Sequence, residues 1–133
     1  MKTLKKSVDA EKWEAILSYM SERFSPGEAI SIEGILFLIG IQTLGQGARR
    51  YKKDEKLYII HIAVCHLLEP WGYYRYQSRD QKGWPHYKIS DTLPSLKAGE
   101  QTILIKKSLI LFFDKENLLH ENFRKIEKKH QIT

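Results

Sequence analysis

Apolar residues recur at three- and four-residue steps along most of this chain, and at two-residue steps in one short stretch. The first pattern predicts helices and the second a pair of strands. Trp13, Ile16, Leu17, Met20 and Phe24 form a stripe behind Asp9, which stands in a capping position, and predict a first helix ending near Phe24. Ser25-Pro26-Gly27-Glu28 has the residue order of a capping box, with proline at the first helical position, and predicts a short turn. Ser31 then caps a second helix in which Ile32, Ile35, Leu36, Leu38, Ile39, Ile41 and Leu44 leave almost no polar face, until Gly45-Gln46-Gly47 stops it.

A helix apolar nearly all round belongs at the centre of a core. Gly34 and Gly40 lie within it, each at a cost of about 1 kcal/mol relative to alanine, and close approach of a neighbouring backbone is the expected compensation. From about Asp54 a third helix carries Leu57, Ile60, His61, Val64, Leu67 and Leu68 on one face, with Tyr58, Ile62 and Cys65 beside it, and ends at Glu69-Pro70.

Beyond it the period falls to two. Tyr73 to Ser78 and Trp84 to Ile89 read as strands joined by Arg79-Asp80-Gln81-Lys82-Gly83, with the glycine at the left-handed position of a hairpin loop. Alternation places Tyr74, Tyr76 and Ser78 on one face and Tyr73, Arg75 and Gln77 on the other. A fourth helix is expected from about Lys97 to Phe113, with Lys106 and Lys107 on its wet side, and an amphipathic fifth from about Lys115 to Lys129. The predicted fold is mainly α: a bundle of four or five helices with a small antiparallel β-hairpin inserted between the third and fourth.

Length and charge narrow the functional classes. A chain of 133 residues has the size of a single domain. Its N-terminal lysines are followed by acidic and polar residues where a signal peptide needs an apolar run. The longest charge-free run, Gly34 to Ala48, is 15 residues, below the roughly 18–20 of a spanning helix. One cysteine, Cys65, allows no internal disulfide, and the expected location is cytoplasmic. The net charge of +6 favours anionic partners.

No complete catalytic or cofactor motif stands in the chain, and no cofactor is expected. Gly40 to Gly45 has the first glycine spacing of a phosphate-binding loop, but Gln46-Gly47 replaces the required lysine and hydroxyl. His61 and Cys65, four apart on a helix, are weak metal candidates for which a hydrogen-bonded histidine and a small buried cysteine are the simpler reading. A Cys65–His86 nucleophilic pair conflicts with burial, which raises a thiol pKa. A small enzyme would have to assemble His61, His66, His86, Glu69 and Asp80 from separate elements.

The sharpest feature is aromatic. Trp71, Tyr73, Tyr74, Tyr76, Trp84 and Tyr87 fall within 17 residues, interleaved with Arg75, Arg79, His86 and Lys88. Rings on one strand face can simply cover a core. The functional alternative is a partner-binding surface using Trp71, Tyr74, Arg75, Tyr76, Trp84 and His86, with another protein or a second copy of the chain as partner. Nucleic acid is the alternative partner, held by Arg49, Arg50, Lys52 and Lys53 together with Arg75, Arg79 and Lys88 if these share a face. The simpler reading of the basic run Arg49-Arg50-Tyr51-Lys52-Lys53 is a solvated loop ahead of a helix.

The segments LFLIGIQTLG, HIAVCHLL, WGYYRYQSRD and GWPHYK, between residues 36 and 88, resemble a family of small uncharacterised proteins from Bacteroidetes-type bacteria. The resemblance implies a cytoplasmic bacterial protein in which the central helices and the hairpin belong together. It implies no activity and no catalytic residue.

Overall fold

In a computed structural model, residues 6–47 and 49–131 of the chain are described; the leading lysines Lys2 and Lys5 lie outside them. The described residues form helices α1 (Val8–Phe24), α2 (Ile32–Leu44) and α3 (Lys53–Leu68), strands β1 (Tyr74–Arg79) and β2 (Pro85–Ile89), and helices α4 (Ala98–Lys115) and α5 (His120–Gln131). The expected class is the observed one: mainly α, with an antiparallel hairpin between the third and fourth helices. The chain groups into two compact units. One, Ser31–Gln101, holds α2, α3 and the hairpin; the other holds α1, α5 and α4 from Thr102 onward.

In the first unit, Ser31 caps α2 by accepting from the Gly34 amide at 3.0 Å, and Gly45 ends it at φ 76°, a left-handed position that glycine adopts without a Cβ penalty. Helices α2 and α3 pack directly on each other. At their crossing a Cβ on Gly40 would stand 2.2 Å from the Ile59 carbonyl oxygen, so the glycine is a notch that lets the two backbones close up. Ile59 is wholly buried there, and with Leu44 and Tyr51 it forms a cluster flanked by Phe37, Ile41 and Trp84.

That notch corrects the expected face of α3. The buried side chains are Ile59, Ile62, Ala63, Cys65, Leu67 and Leu68, whereas Leu57 is 63% exposed and His61 faces solvent. Packing on α2 is centred on Ile59, which turns the helix away from the stripe that periodicity alone suggests. The helix ends with Glu69 still in the α conformation, followed by a turn in which Gly72 donates to the Glu69 carbonyl at 2.9 Å.

In the second unit the cap of α1 is Ser7, whose hydroxyl accepts from Ala10 at 3.1 Å, and Asp9 instead sits in the first turn, where its charge suits the helix dipole. Ser25 to Glu28 form a turn closed by the Glu28 amide on the Ser25 carbonyl. The fifth helix begins later than expected. Asn117 takes φ 57°, and Leu118 donates to the Phe113 carbonyl at 3.0 Å, so a left-handed cap separates α4 from α5. Helix α5 packs on α1, with Lys12 both over the Phe123 ring at 5.2 Å and paired with Glu127 at 3.4 Å.

Candidate functional site

The hairpin is the element whose residues carry most of the candidate chemistry. Its register pairs Tyr74 with Ile89, Arg75 with Lys88 and Tyr76 with Tyr87, then slips at Gln77 so that Ser78 meets His86 and Arg79 meets Pro85. The slip is a β-bulge, which inserts one unpaired residue and reverses the alternation beyond it. Uniform alternation expects Ser78 on the Tyr74–Tyr76 face; the bulge puts Arg79 there instead. This face is the inner one, since it carries buried Pro85 and half-buried Tyr74 and Tyr87. Burial raises the Tyr87 hydroxyl to a pKa of about 12, with the nearby Glu69 carboxylate adding to the effect.

Turned inward, Arg79 donates to the Thr43 carbonyl at 2.8 Å, the Leu44 carbonyl at 2.9 Å and the Gly83 carbonyl at 2.7 Å. The first two belong to the unsatisfied end of α2, where a cation also complements the dipole. Trp84 is likewise drawn inward, against the Leu44, Tyr51 and Ile59 cluster and the Tyr58 ring at 5.6 Å. Two candidates from the sequence thus serve the architecture.

Asp80 organises the hairpin loop. Its Oδ1 accepts from the Lys82 amide at 2.9 Å and the Trp84 amide at 3.0 Å, while Oδ2 lies 2.9 Å from His86 Nε2. The His86 bond, then the Trp84 amide, hold its carboxyl below the usual carboxylate range. On the far side of that imidazole, Nδ1 is 3.4 Å from the Tyr58 hydroxyl. An Asp–His–Tyr series invites a catalytic reading, but desolvation raises the Tyr58 pKa, the opposite of an activated nucleophile. A cleft of about 550 Å³ at the base of the hairpin is lined by Glu69, Tyr74, Arg75, Lys88 and Asp91 among others, and by none of these three.

The structure does bring His61 and Cys65 together, with Sγ 3.4 Å from Nε2. The thiol is fully buried, and desolvation pushes its pKa to about 12. His61 also lies edge-on to Tyr74, with ring centroids 6.1 Å apart. Among the described residues no third histidine, cysteine or carboxylate completes a metal-binding group.

The basic residues do not share one face. Arg49 stacks on the Tyr51 ring at 4.2 Å, donates to Gln46 Oε1 at 2.9 Å and lies 3.8 Å from Glu55. Arg50, Lys52 and Lys53 are exposed at the start of α3. Gln46 ties this corner to the hairpin loop by donating to the Lys82 carbonyl at 2.7 Å. Arg75 and Lys88 stand on the outer face of the hairpin, opposite to the face from which Arg79 reaches α2. Tyr51, the ring inside the basic run, is 7% exposed and bonded to the Gly47 carbonyl at 2.8 Å.

What stays in water is Arg75, Lys88 and His86 on the outer face, Tyr76 (46% exposed) and Ile89 (58%) where the inner face is left uncovered, and Trp71 (40%) ahead of β1. Trp71 stacks on Tyr73 at 6.3 Å. Ile89, read only as the end of a strand, was not among the candidate contacts, because a strand-end isoleucine carries no distinctive spacing. Comparison with family models, curated proteins and solved structures gave no match to this chain. Among the described residues no helix is long and apolar enough to cross a membrane.

Proposed function

We propose that this chain is a non-enzymatic protein-binding domain, cytoplasmic, whose contact surface is the solvent-exposed part of the hairpin. The observation that supports it is a division of labour among the aromatic residues. Trp84 and Tyr74 pack inward, while Tyr76, Ile89 and Trp71 leave large apolar surface in water on strands whose opposite face carries the Arg75–Lys88 pair. Exposed aromatic groups beside arginine are the composition of interface hot spots. Of the six residues first singled out, Trp71, Arg75 and Tyr76 are therefore the contact set, with Lys88 and Ile89 added. His86 helps to hold the loop through Asp80.

Nucleic-acid binding draws less support. It needs the 49–53 run and the hairpin cations on one surface, and the bulge turns Arg79 away from Arg75 and Lys88.

A photo-crosslinking residue at position 76 tests the proposal in native lysate, with the same residue at Arg124 on α5 as control. A discrete adduct from position 76 that Ile89→Asp removes is the expected result. Indistinguishable adduct patterns from the two positions would overturn it.

A further inference from the structure

We infer that the outer edge of β2 takes an extended acidic peptide segment as a third strand, its carboxylates lying beside Lys88 and Arg75. The inference rests on the reading of the hairpin as a protein-binding surface and names the chemistry of the partner.

The ladder sets which edge is open. The Ser90 amide donates to the Tyr73 carbonyl at 3.0 Å, so 73 and 90 form a hydrogen-bonded pair. Antiparallel pairs alternate, which makes 75 and 88 bonded as well and turns the main-chain groups of 74, 76, 87 and 89 away from the hairpin. On the β1 side this edge is blocked, because the Tyr76 amide already donates to Glu69 Oε2 at 2.7 Å. On the β2 side Pro85 has no amide to offer, and its carbonyl is 3.4 Å from the Tyr58 hydroxyl. Among the described residues no hydrogen bond reaches the outward amides of Tyr87 and Ile89. An unpaired edge of this kind is a template for strand addition.

Charge decides what adds there. Arg75 and Lys88 are directly opposite, and neither forms an ion pair among the described residues. Like charges directly opposite on a sheet face destabilise it, and a carboxylate on the neighbouring strand relieves that repulsion. A second copy is the wrong occupant. Pairing β2 with itself so that Tyr87 and Ile89 exchange bonds sets Lys88 against its own copy and gathers four cations on one face. The other face of the added strand meets Tyr87 and Ile89, so the preferred segment alternates acidic with β-branched residues. A nucleic-acid backbone supplies the anion but not the amide and carbonyl ladder.

The test uses the full chain and a labelled synthetic peptide of alternating glutamate and valine, about seven residues long, the length of an ordinary strand. Fluorescence anisotropy should report binding, and amide exchange should slow at Tyr87 and Ile89 when the peptide is present. Arg75→Glu with Lys88→Glu should weaken it by at least about tenfold, and a lysine–valine peptide should bind that variant instead. N-methylation of the peptide backbone on its pairing edge should abolish binding.

Binding that survives N-methylation, or that leaves the two amides unprotected, overturns strand addition while leaving the hairpin as a protein-binding surface. No binding at about 1 mM peptide, the weakest useful affinity, overturns the inference, and the position-76 crosslink then decides the broader reading separately. A single-stranded oligonucleotide that binds where the peptide does not, or peptide-independent dimers that protect the same amides, also overturn it.

Discussion

The Arg79 guanidinium donates to the Leu44 carbonyl across 35 residues of sequence, so that a hairpin side chain closes the last turn of α2. The same group reaches Thr43 and Gly83, which ties the helix end, the hairpin loop and β1 into one arrangement. Charge-assisted bonds of this type contribute about 1.5–3 kcal/mol where they are shielded from water.

Arg79→Ala should therefore lower the stability of this unit by about 1–2 kcal/mol, at or below the lower end of that range because the site is partly solvated. Arg79→Lys should recover only part of it, since an ammonium lacks the planar fork that spans two carbonyls. Urea unfolding followed by fluorescence in a Trp13→Phe, Trp71→Phe background, where Trp84 is the one remaining tryptophan, reads both. An unchanged midpoint for the alanine variant would contradict the capping role.

Gly40 makes a second point of contact testable. A methyl group there would meet the Ile59 carbonyl oxygen at 2.2 Å and Cγ2 at 2.6 Å, and a backbone atom cannot swing aside as a side chain can. Gly40→Ala should destabilise by about 1–3 kcal/mol through overpacking, against a helix-propensity gain of about 1 kcal/mol. Gly99→Ala, on α4 of the same unit with nothing within 4 Å, should be neutral or stabilising by up to about 1 kcal/mol. Equal effects of the two substitutions would exclude a close approach at Gly40.

These two residues mark how far the sequence carries. The helix boundaries at Ser31 and Gly45 were legible because caps are local chemistry, and the compensation expected for Gly40 is found at Ile59. The inward turn of Arg79 was not legible. It depends on the bulge at Gln77, and no residue type announces a bulge when the flanking strand is polar on both faces. Tyr51 was read as part of a basic loop because its neighbours are charged, yet its ring joins the Leu44–Ile59 cluster. The candidate site suffers the same limit: composition found the aromatic hairpin, but which rings face water was set by tertiary packing.

Cys65 should be chemically inert in the folded chain. Its thiol is fully buried and desolvation holds its pKa near 12, so at pH 8 the thiolate fraction is only about one in ten thousand. Labelling by an aromatic disulfide reagent should be at least about a hundredfold slower in buffer than in denaturant, in line with exposure by unfolding. His61→Ala should not accelerate it beyond any loss of stability. Fast native labelling that His61→Ala abolishes would instead reveal an activated pair.

The second unit carries its own pH dependence through Glu11. This carboxylate accepts from Lys129 at 2.6 Å and also pairs with His130, joining α1 to the end of α5. The Lys129 hydrogen bond, followed by that of His130, lowers its pKa from 4.5 to about 2. A carboxyl depressed in the folded state binds a proton more readily when unfolded. Its contribution is thus fully present above about pH 4.5 and is lost as pH falls toward 2. Glu11→Gln should lower the unfolding midpoint at pH 7, and the gap from the parent chain should close between pH 4.5 and 2. Lys129→Met should raise the Glu11 pKa part of the way, because His130 remains. Carboxyl-carbon NMR titration gives the pKa directly, and thermal melts at a series of pH values give the linkage. A Glu11 titration centred near 4.5, or a gap between variant and parent that does not change with pH, would show that the ion pairs joining α1 to α5 add no stability.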